Sequence, residues 1–230
     1  MWYNIWLVCF AILQVGNAFG SLPYGNSTAR PFTLRVTDGQ IRDFKSLLTA
    51  SKVGPEAWYT TQRDGQLGIT REWLTGAKKA WVNFDWLKQE RRINSFPNFK
   101  AMVGNEALGA TPIHFTALFS KRKDALPLLF LHGWPGSIFE FLPMLDILKN
   151  KYTPETFPYH VIVPSLPHFG LSGGPIDVEL TLLSAAEMMN QLMLDLGFSK
   201  GYVVQGGDVG GALARLLSVL SPEVKAFHGI

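Results

Sequence analysis

Cysteine is almost absent: the 230 residues contain one, Cys9, which excludes a disulfide-stapled scaffold and a metal site built on several thiolates. Charge is sparse as well. Charged residues make up 17% of the chain against 47% hydrophobic ones, a balance that excludes a disordered protein and leaves material for a sizeable core. Twenty-one Lys and Arg against eighteen Asp and Glu leave a net charge of +3, spread along the chain. No basic stripe marks a nucleic-acid partner. Internal repeats and low-complexity tracts are missing too. The length fits one large domain, or one with a small accessory region.

Long apolar runs are also scarce. Trp2 to Val15 carries no charge, but it is too short for an easy membrane span, which needs about 20 apolar residues. Gly16-Asn17-Ala18 follows with small residues, so residues 1–18 read as a secretory signal peptide cut near Ala18. An uncleaved anchor over residues 1–19 is the rival. Asn26-Ser27-Thr28 is a glycosylation sequon just beyond the cut. Both features point to the secretory pathway or the exterior, with no stable membrane insertion unless the signal stays as an anchor.

From Pro31 to about Phe119 the chain is rich in aromatics. Asp38 is positioned to cap a helix whose apolar face is Ile41, Phe44, Leu47 and Leu48. Lys52 to Gly68 reads as loop. Thr70 opens a second helix bearing Trp73, Leu74, Ala77, Trp81 and Phe84, broken by Phe96-Pro97. Phe99, Ala101 and Val103 alternate as a strand, as do Ile113, Phe115 and Ala117. The pattern then changes. Leu126 to Leu131 is a continuous apolar run, typical of a strand covered on both faces. Ser137 and Glu140 predict a capping box for a helix through Leu148. A strand over His160 to Val163, a helix after Thr181, a strand over Tyr202 to Gln205, a helix over Val209 to Leu220 and a strand over Val224 to Ile230 complete it. Strand and helix at this spacing predict an α/β fold with a parallel sheet.

The informative stretch is Gly206-Gly207-Asp208-Val209-Gly210-Gly211, between a predicted strand and a predicted helix. A nucleophile elbow needs small residues because the turn is tight and the helix packs close to the strand. Ser is its usual occupant, and here Asp stands in that place. A carboxylate attacking saturated carbon leaves an ester that activated water can hydrolyse, whereas Ser would leave an ether. Asp208 therefore points to displacement at sp3 carbon. The blander alternative is an Asp that merely caps the next helix. His132-Gly133-Trp134-Pro135 shifts the balance, because it follows an earlier strand where such folds place the other half of an oxyanion hole. The backbone N–H groups of Trp134 and Val209 would then face the ester carbonyl oxygen, supported by His132, Gly133 and Pro135.

These motifs resemble those of a microsomal-type epoxide hydrolase of the α/β-hydrolase superfamily. The resemblance covers about Pro31 to Ile230. It includes His132 to Ser137 with Glu140-Phe141, the Asp208 elbow, and an earlier segment with Trp73-Leu74-Thr75-Gly76, Phe84-Asp85-Trp86, Glu90, Asn94 and Phe96-Pro97. The resemblance implies an N-terminal extension that wraps the catalytic domain, placed with the first strands over residues 31–119. A partial α/β-hydrolase core over residues 120–230 follows. It implies conversion of a small apolar epoxide to a vicinal diol through an ester on Asp208, without metal or organic cofactor. It also implies a lid with two tyrosines, a late acid and a late histidine, for which the 22 residues after Asp208, taken up by one helix and one strand, leave no room; Glu223 among them reads as solvated. On that reading the chain is an incomplete α/β-hydrolase fold, lacking lid and last strands, and inactive as it stands. His228 reads as structural. Val209 replaces the family's usual Trp and His168 a usual Gly. Two alternatives remain: a non-catalytic hydrolase-like module, and a haloalkane dehalogenase, against which Val209 argues because such enzymes hold the halide with that Trp. Expression in a eukaryotic host should yield a protein beginning near Phe19 with Asn26 glycosylated. N-terminal sequencing checks this, and an intact Met1 on a membrane-bound product would favour the anchor.

Overall fold

The computed structural model describes residues 19–23, 28–105 and 109–230. The expected signal peptide and Asn26 lie outside them. Contacts divide the described chain into two compact units: Leu34–Ser95, and the residues up to Thr33 together with Phe96–Ile230.

The smaller unit consists of helices α1 (Asp38–Ala50), α2 (Trp58–Thr61), α3 (Arg71–Val82) and α4 (Trp86–Asn94). Thr37 caps α1 in place of the expected Asp38. The Thr37 hydroxyl accepts from the Gln40 N–H at 3.3 Å, and the Gln40 carboxamide accepts from the Thr37 N–H at 3.0 Å, which satisfies two otherwise orphaned donors. Asp38 is the first helical residue, its charge placed at the positive end of the helix dipole. The helix expected to run from Thr70 is two helices. Thr70 caps α3, and Asp85 starts α4 by accepting from the Lys88 N–H at 3.0 Å. Glu90 and Asn94 tie α4 to the chain entering the unit. The Val36 N–H donates to Glu90 at 2.7 Å, and Asn94 exchanges two bonds with the Leu34 backbone at 2.8 and 2.9 Å.

In the larger unit the strands are β1 (Arg30–Pro31), β2 (Asn98–Asn105), β3 (Gly109–Leu118), β4 (Leu126–Leu131), β5 (Tyr159–Pro164), β6 (Tyr202–Gly206) and β7 (Val224–Gly229). They form one sheet in the order β1-β2-β3-β5-β4-β6-β7. β5, β4, β6 and β7 are parallel, as the alternation of strand and helix predicts. β1, β2 and β3 continue the sheet antiparallel from β5. The sheet is therefore mixed, because β2 and β3 are joined by a short connection that only an antiparallel pair can use.

Helices α5 (Leu142–Lys151), α6 (Leu182–Asp195) and α7 (Val209–Leu220) belong to this unit. Ser137 and Glu140 do form a capping box, but it closes a single 3-10 turn over Ile138–Glu140, and α5 starts after it. α6 and α7 pack together, burying Met189, Leu192 and Met193 of one and Leu213, Ala214 and Leu217 of the other. Phe99, Ile113, Phe115, Leu129, Leu131, Ile162 and Val204 form the sheet's share of the core. Each large apolar side chain so buried stabilises the fold by about 1.5–3 kcal/mol. Among the described residues no helix is long and apolar enough to cross a membrane.

Three histidines, His114, His132 and His160, are buried in this unit, and two of them shift furthest. Burial, with the Lys100 charge as a second cause, lowers His114 from 6.5 to about 3; burial alone lowers His160 to about 4. Both are neutral in the folded chain near pH 7, whereas the unfolded chain gains protons below about pH 6.5. Unfolding therefore takes up protons in this window, so stability falls as pH drops from about 6.5 towards 4. The urea midpoint should be lower at pH 4.5 than at pH 7, and His160→Gln should flatten part of the slope. A midpoint constant across that range would refute the assignment.

Candidate active site

The site is set by strand register. In the parallel pair β4–β6, Leu131 lies opposite Gly206, so both strands end at the same level of the sheet. The two residues after each end are His132-Gly133 and Gly207-Asp208. Segments separated by more than 70 residues in sequence are thereby brought together at the carboxyl ends of neighbouring strands, where open α/β sheets bind ligands.

Asp208 occupies the tight turn between β6 and α7 with φ 53° and ψ −123°. A non-glycine residue costs on the order of 1–3 kcal/mol in such a region, and it persists where the surrounding structure enforces it. As a helix cap it fails: the side chain makes no capping hydrogen bond. Its Oδ1 accepts instead from the Trp134 N–H at 2.8 Å. The Trp134 and Val209 amides hold the carboxyl below its ordinary range, because hydrogen bonds to the charged form favour it. Asp208 is thus ionised, exposed and aimed by backbone donors from the loop after β4 and from the first residue of α7. The Trp134–Pro135 peptide is cis.

His132 is fully buried beneath this arrangement. The Leu166 N–H donates to its Nε2 at 3.0 Å, so the ring proton is on Nδ1, which donates to the Gly133 carbonyl at 3.0 Å. Burial lowers the ring's pKa and keeps it neutral. The Gly133 carbonyl and the Trp134 N–H belong to one peptide plane. Anchoring the carbonyl on His132 therefore points the N–H the opposite way, towards Asp208.

The four glycines around Asp208 are unequal. A Cβ on Gly206 would overlap the Gly210 carbonyl, and one on Gly210 would overlap the Leu131 carbonyl. Those two let α7 lie directly against β6 and β4. Gly211 is tight, with the Ile230 carbonyl 3.2 Å from a Cβ. Gly207, expected to be required as well, has no atom nearer than 4.0 Å. Gly133, by contrast, has an unforeseen constraint: a Cβ there would lie 2.8 Å from the Asp208 Cβ and 3.0 Å from its Oδ1.

A hollow of about 490 Å³ opens beside Asp208, lined by Gly133, Trp134, Pro135, Glu140, Phe141 and Gln205 among others. Among the described residues no histidine lines it. Val209 packs partly buried against the core. His168 adopts φ 66° with its ring over Gly174 and its Nε2 3.1 Å from the Pro175 carbonyl, so it belongs to its own loop. His228, expected to be structural, is exposed on β7. Among the described residues no group of three or more His, Cys, Asp or Glu could hold a metal ion.

A mixed sheet whose carboxyl edge presents a strained strand-to-helix turn, faced by the amides of the loop after the neighbouring strand, defines an α/β-hydrolase fold. Residues 127–230 match the family described as alpha/beta hydrolase fold, and residues 29–141 match the epoxide hydrolase N terminus. The structure of an Aspergillus niger epoxide hydrolase superimposes with a TM-score of 0.86 at 45% identity, over 92% of this chain and 55% of that one. A Dothistroma septosporum relative provisionally named an epoxide hydrolase is 44% identical over 86% of this chain and 48% of its own length. Epoxide hydrolase 1 of Oryctolagus cuniculus is 32% identical over 91% of this chain and 46% of its own. The chain belongs to the epoxide hydrolase family of the α/β-hydrolase fold. It spans about half the length of the curated relatives it matches.

The glycine contacts separate two substitutions. Gly210→Ala should destabilise the chain by about 1–3 kcal/mol through overlap with fixed backbone, whereas Gly207→Ala should stay within about 0.5 kcal/mol. Urea unfolding of both variants checks this. Equal midpoints would show that close approach of α7 is not what the elbow requires.

Proposed function

We propose that the protein is an epoxide hydrolase acting on a small apolar epoxide, and that Asp208 is its nucleophile. The observation that carries this reading is the 2.8 Å bond from the Trp134 N–H to Oδ1 of an exposed carboxylate at positive φ. It divides the labour between the two carboxylate oxygens. Oδ1, held by an amide, is placed to become the ester carbonyl oxygen. Oδ2 attacks an epoxide carbon as the carbon–oxygen bond of the ring breaks, and the departing oxygen takes up a proton.

Water then adds to the ester carbonyl carbon. Negative charge develops on the oxygen already held by the Trp134 amide, which needs no reorganisation to receive it, with the Val209 amide as a second donor to the carboxyl group; one such donor is typically worth about 10²–10³ in rate. Collapse of the tetrahedral species releases the diol and regenerates the carboxylate. The sequence of steps consumes one water and needs neither metal nor organic cofactor. The described residues supply nucleophile and oxyanion amides, and the water-activating base and the acid for the departing oxygen are assigned to none of them. With this reading goes a place in the secretory pathway, supported by the apolar segment at residues 2–15 and the sequon at Asn26.

Single turnover in oxygen-18 water tests the assignment in the full-length protein. Label should enter the Asp208 carboxylate and stay out of the first diol released, and Asp208→Ala should abolish turnover. Label confined to the diol, together with an active Asp208→Asn variant, would overturn it. Asn variants need long-incubation controls, because conversion back to Asp mimics residual activity.

A further inference from the structure

A second polar cluster lies beneath the site. His114 of β3 places Nδ1 3.0 Å from the Ser165 hydroxyl and Nε2 3.1 Å from Asn98 Oδ1. By distance alone this is a Ser–His–Asn triad. Relative exposures of 1%, 0% and 5% for Ser165, His114 and Asn98 put it out of reach of any substrate, so it is no second catalytic centre. Its hydrogen bonds nevertheless leave only one arrangement of protons. The Asn98 amide donates to the Phe96 carbonyl at 2.9 Å, and Asn98 Oδ1 accepts from the Thr116 hydroxyl at 2.6 Å. Oδ1 is therefore an acceptor towards His114, Nε2 carries the ring proton, and Nδ1 accepts from Ser165.

The direction of that last bond matters, because Ser165 begins the loop after β5. The same loop start is fastened twice more: the Ser165 N–H donates to the His114 carbonyl at 2.9 Å, and the Ser172 hydroxyl to the Ser165 carbonyl at 2.7 Å. Gly170, at φ 54°, leaves room for the Ser165 hydroxyl, which would lie 3.2 Å from a Cβ there. The next residue, Leu166, donates the N–H that holds His132 Nε2.

We propose that His114 and Asn98 are positioning residues of the active site: through Ser165 they hold the Leu166 amide that orients His132, and His132 aims the Gly133–Trp134 peptide at Asp208. The relay carries no proton. It converts the fixed pairing of β2 and β3, two strands outside the parallel part of the sheet, into the direction of one amide at the reacting group. A buried neutral ring suits this role, since burial lowers His114 to about 3 and its donor and acceptor do not exchange roles near neutral pH. The inference rests on the assignment of the Trp134 amide to Asp208 chemistry.

The first measurement needs no substrate. In protein labelled with nitrogen-15 tryptophan, the Trp134 amide proton should lie downfield because it is bonded to an ionised carboxylate, and Asp208→Asn marks where it moves when that charge is lost. His114→Phe, which keeps a ring but neither bond, should move the signal towards the Asp208→Asn position. Ser165→Ala, a smaller change that also serves if His114→Phe does not fold, should do the same. His114→Asn, whose carboxamide can still accept from Ser165, should restore the signal. An unmoved Trp134 amide in folded Ser165→Ala overturns the proposal, as does a His114→Phe variant that resembles wild type while His114→Asn does not. The second measurement uses full-length protein and an aryl epoxide such as styrene oxide. There Ser165→Ala should lower kcat about tenfold with little change in KM, the consequence of a displaced amide. If wild-type protein forms no diol, the functional reading fails while the amide signal still decides the relay. If diol forms and the amide does not respond, the relay alone is wrong.

Discussion

The hydrogen bond from the Trp134 amide to Asp208 joins two loops that meet only because β4 and β6 are parallel neighbours ending at one level. Much of the larger unit serves that condition. The pairing of Leu131 with Gly206 sets the level. The glycines at 206 and 210 let α7 approach the strands closely enough for Asp208 to stand at their ends. The bond in turn sets the electrostatics of the site, since amide donors keep an exposed carboxylate ionised without any buried counter-charge. A buried cation would carry a desolvation penalty of its own, and backbone dipoles carry none of that size.

The same logic governs the buried histidines. His114 and His132 are polar side chains in an apolar interior, a costly placement unless every polar atom is paired. Each ring nitrogen of both residues has a partner within 3.1 Å. Being neutral, each ring offers one donor and one acceptor, and the partners leave no second way to place the proton. They therefore act as rigid spacers with a fixed direction. That distinguishes them from His168 and His228, whose side chains are exposed at the surface.

In the smaller unit the residues of the family pattern have a visible structural purpose. Glu90 and Asn94 fasten the chain at Val36 and Leu34 to α4, and Trp86 donates its indole N–H to Glu90 at 3.2 Å. These bonds account for a Trp, a Glu and an Asn spaced four apart on a helix without assigning chemistry to any of them.

Local pattern was enough to read the alternation of strand and helix from Leu126 onward, the elbow at Asp208 and the loop at Trp134, because periodicity, small residues and turn chemistry act over a few neighbours. Local pattern also misled where two nearby groups compete for the same role. Thr37 displaced Asp38 as the cap, and Asp85 divided a helix that periodicity had run together. Gly207 looked as necessary as Gly206 because adjacent glycines are indistinguishable until it is known which backbone passes beside each. The level of Leu131 with Gly206, the contact of His114 with Ser165 across 51 positions, and the aim of the Trp134 amide were decided by tertiary structure alone. Each depends on which strands are neighbours and in what register, and that is set by how the whole apolar surface packs, a property no short segment contains.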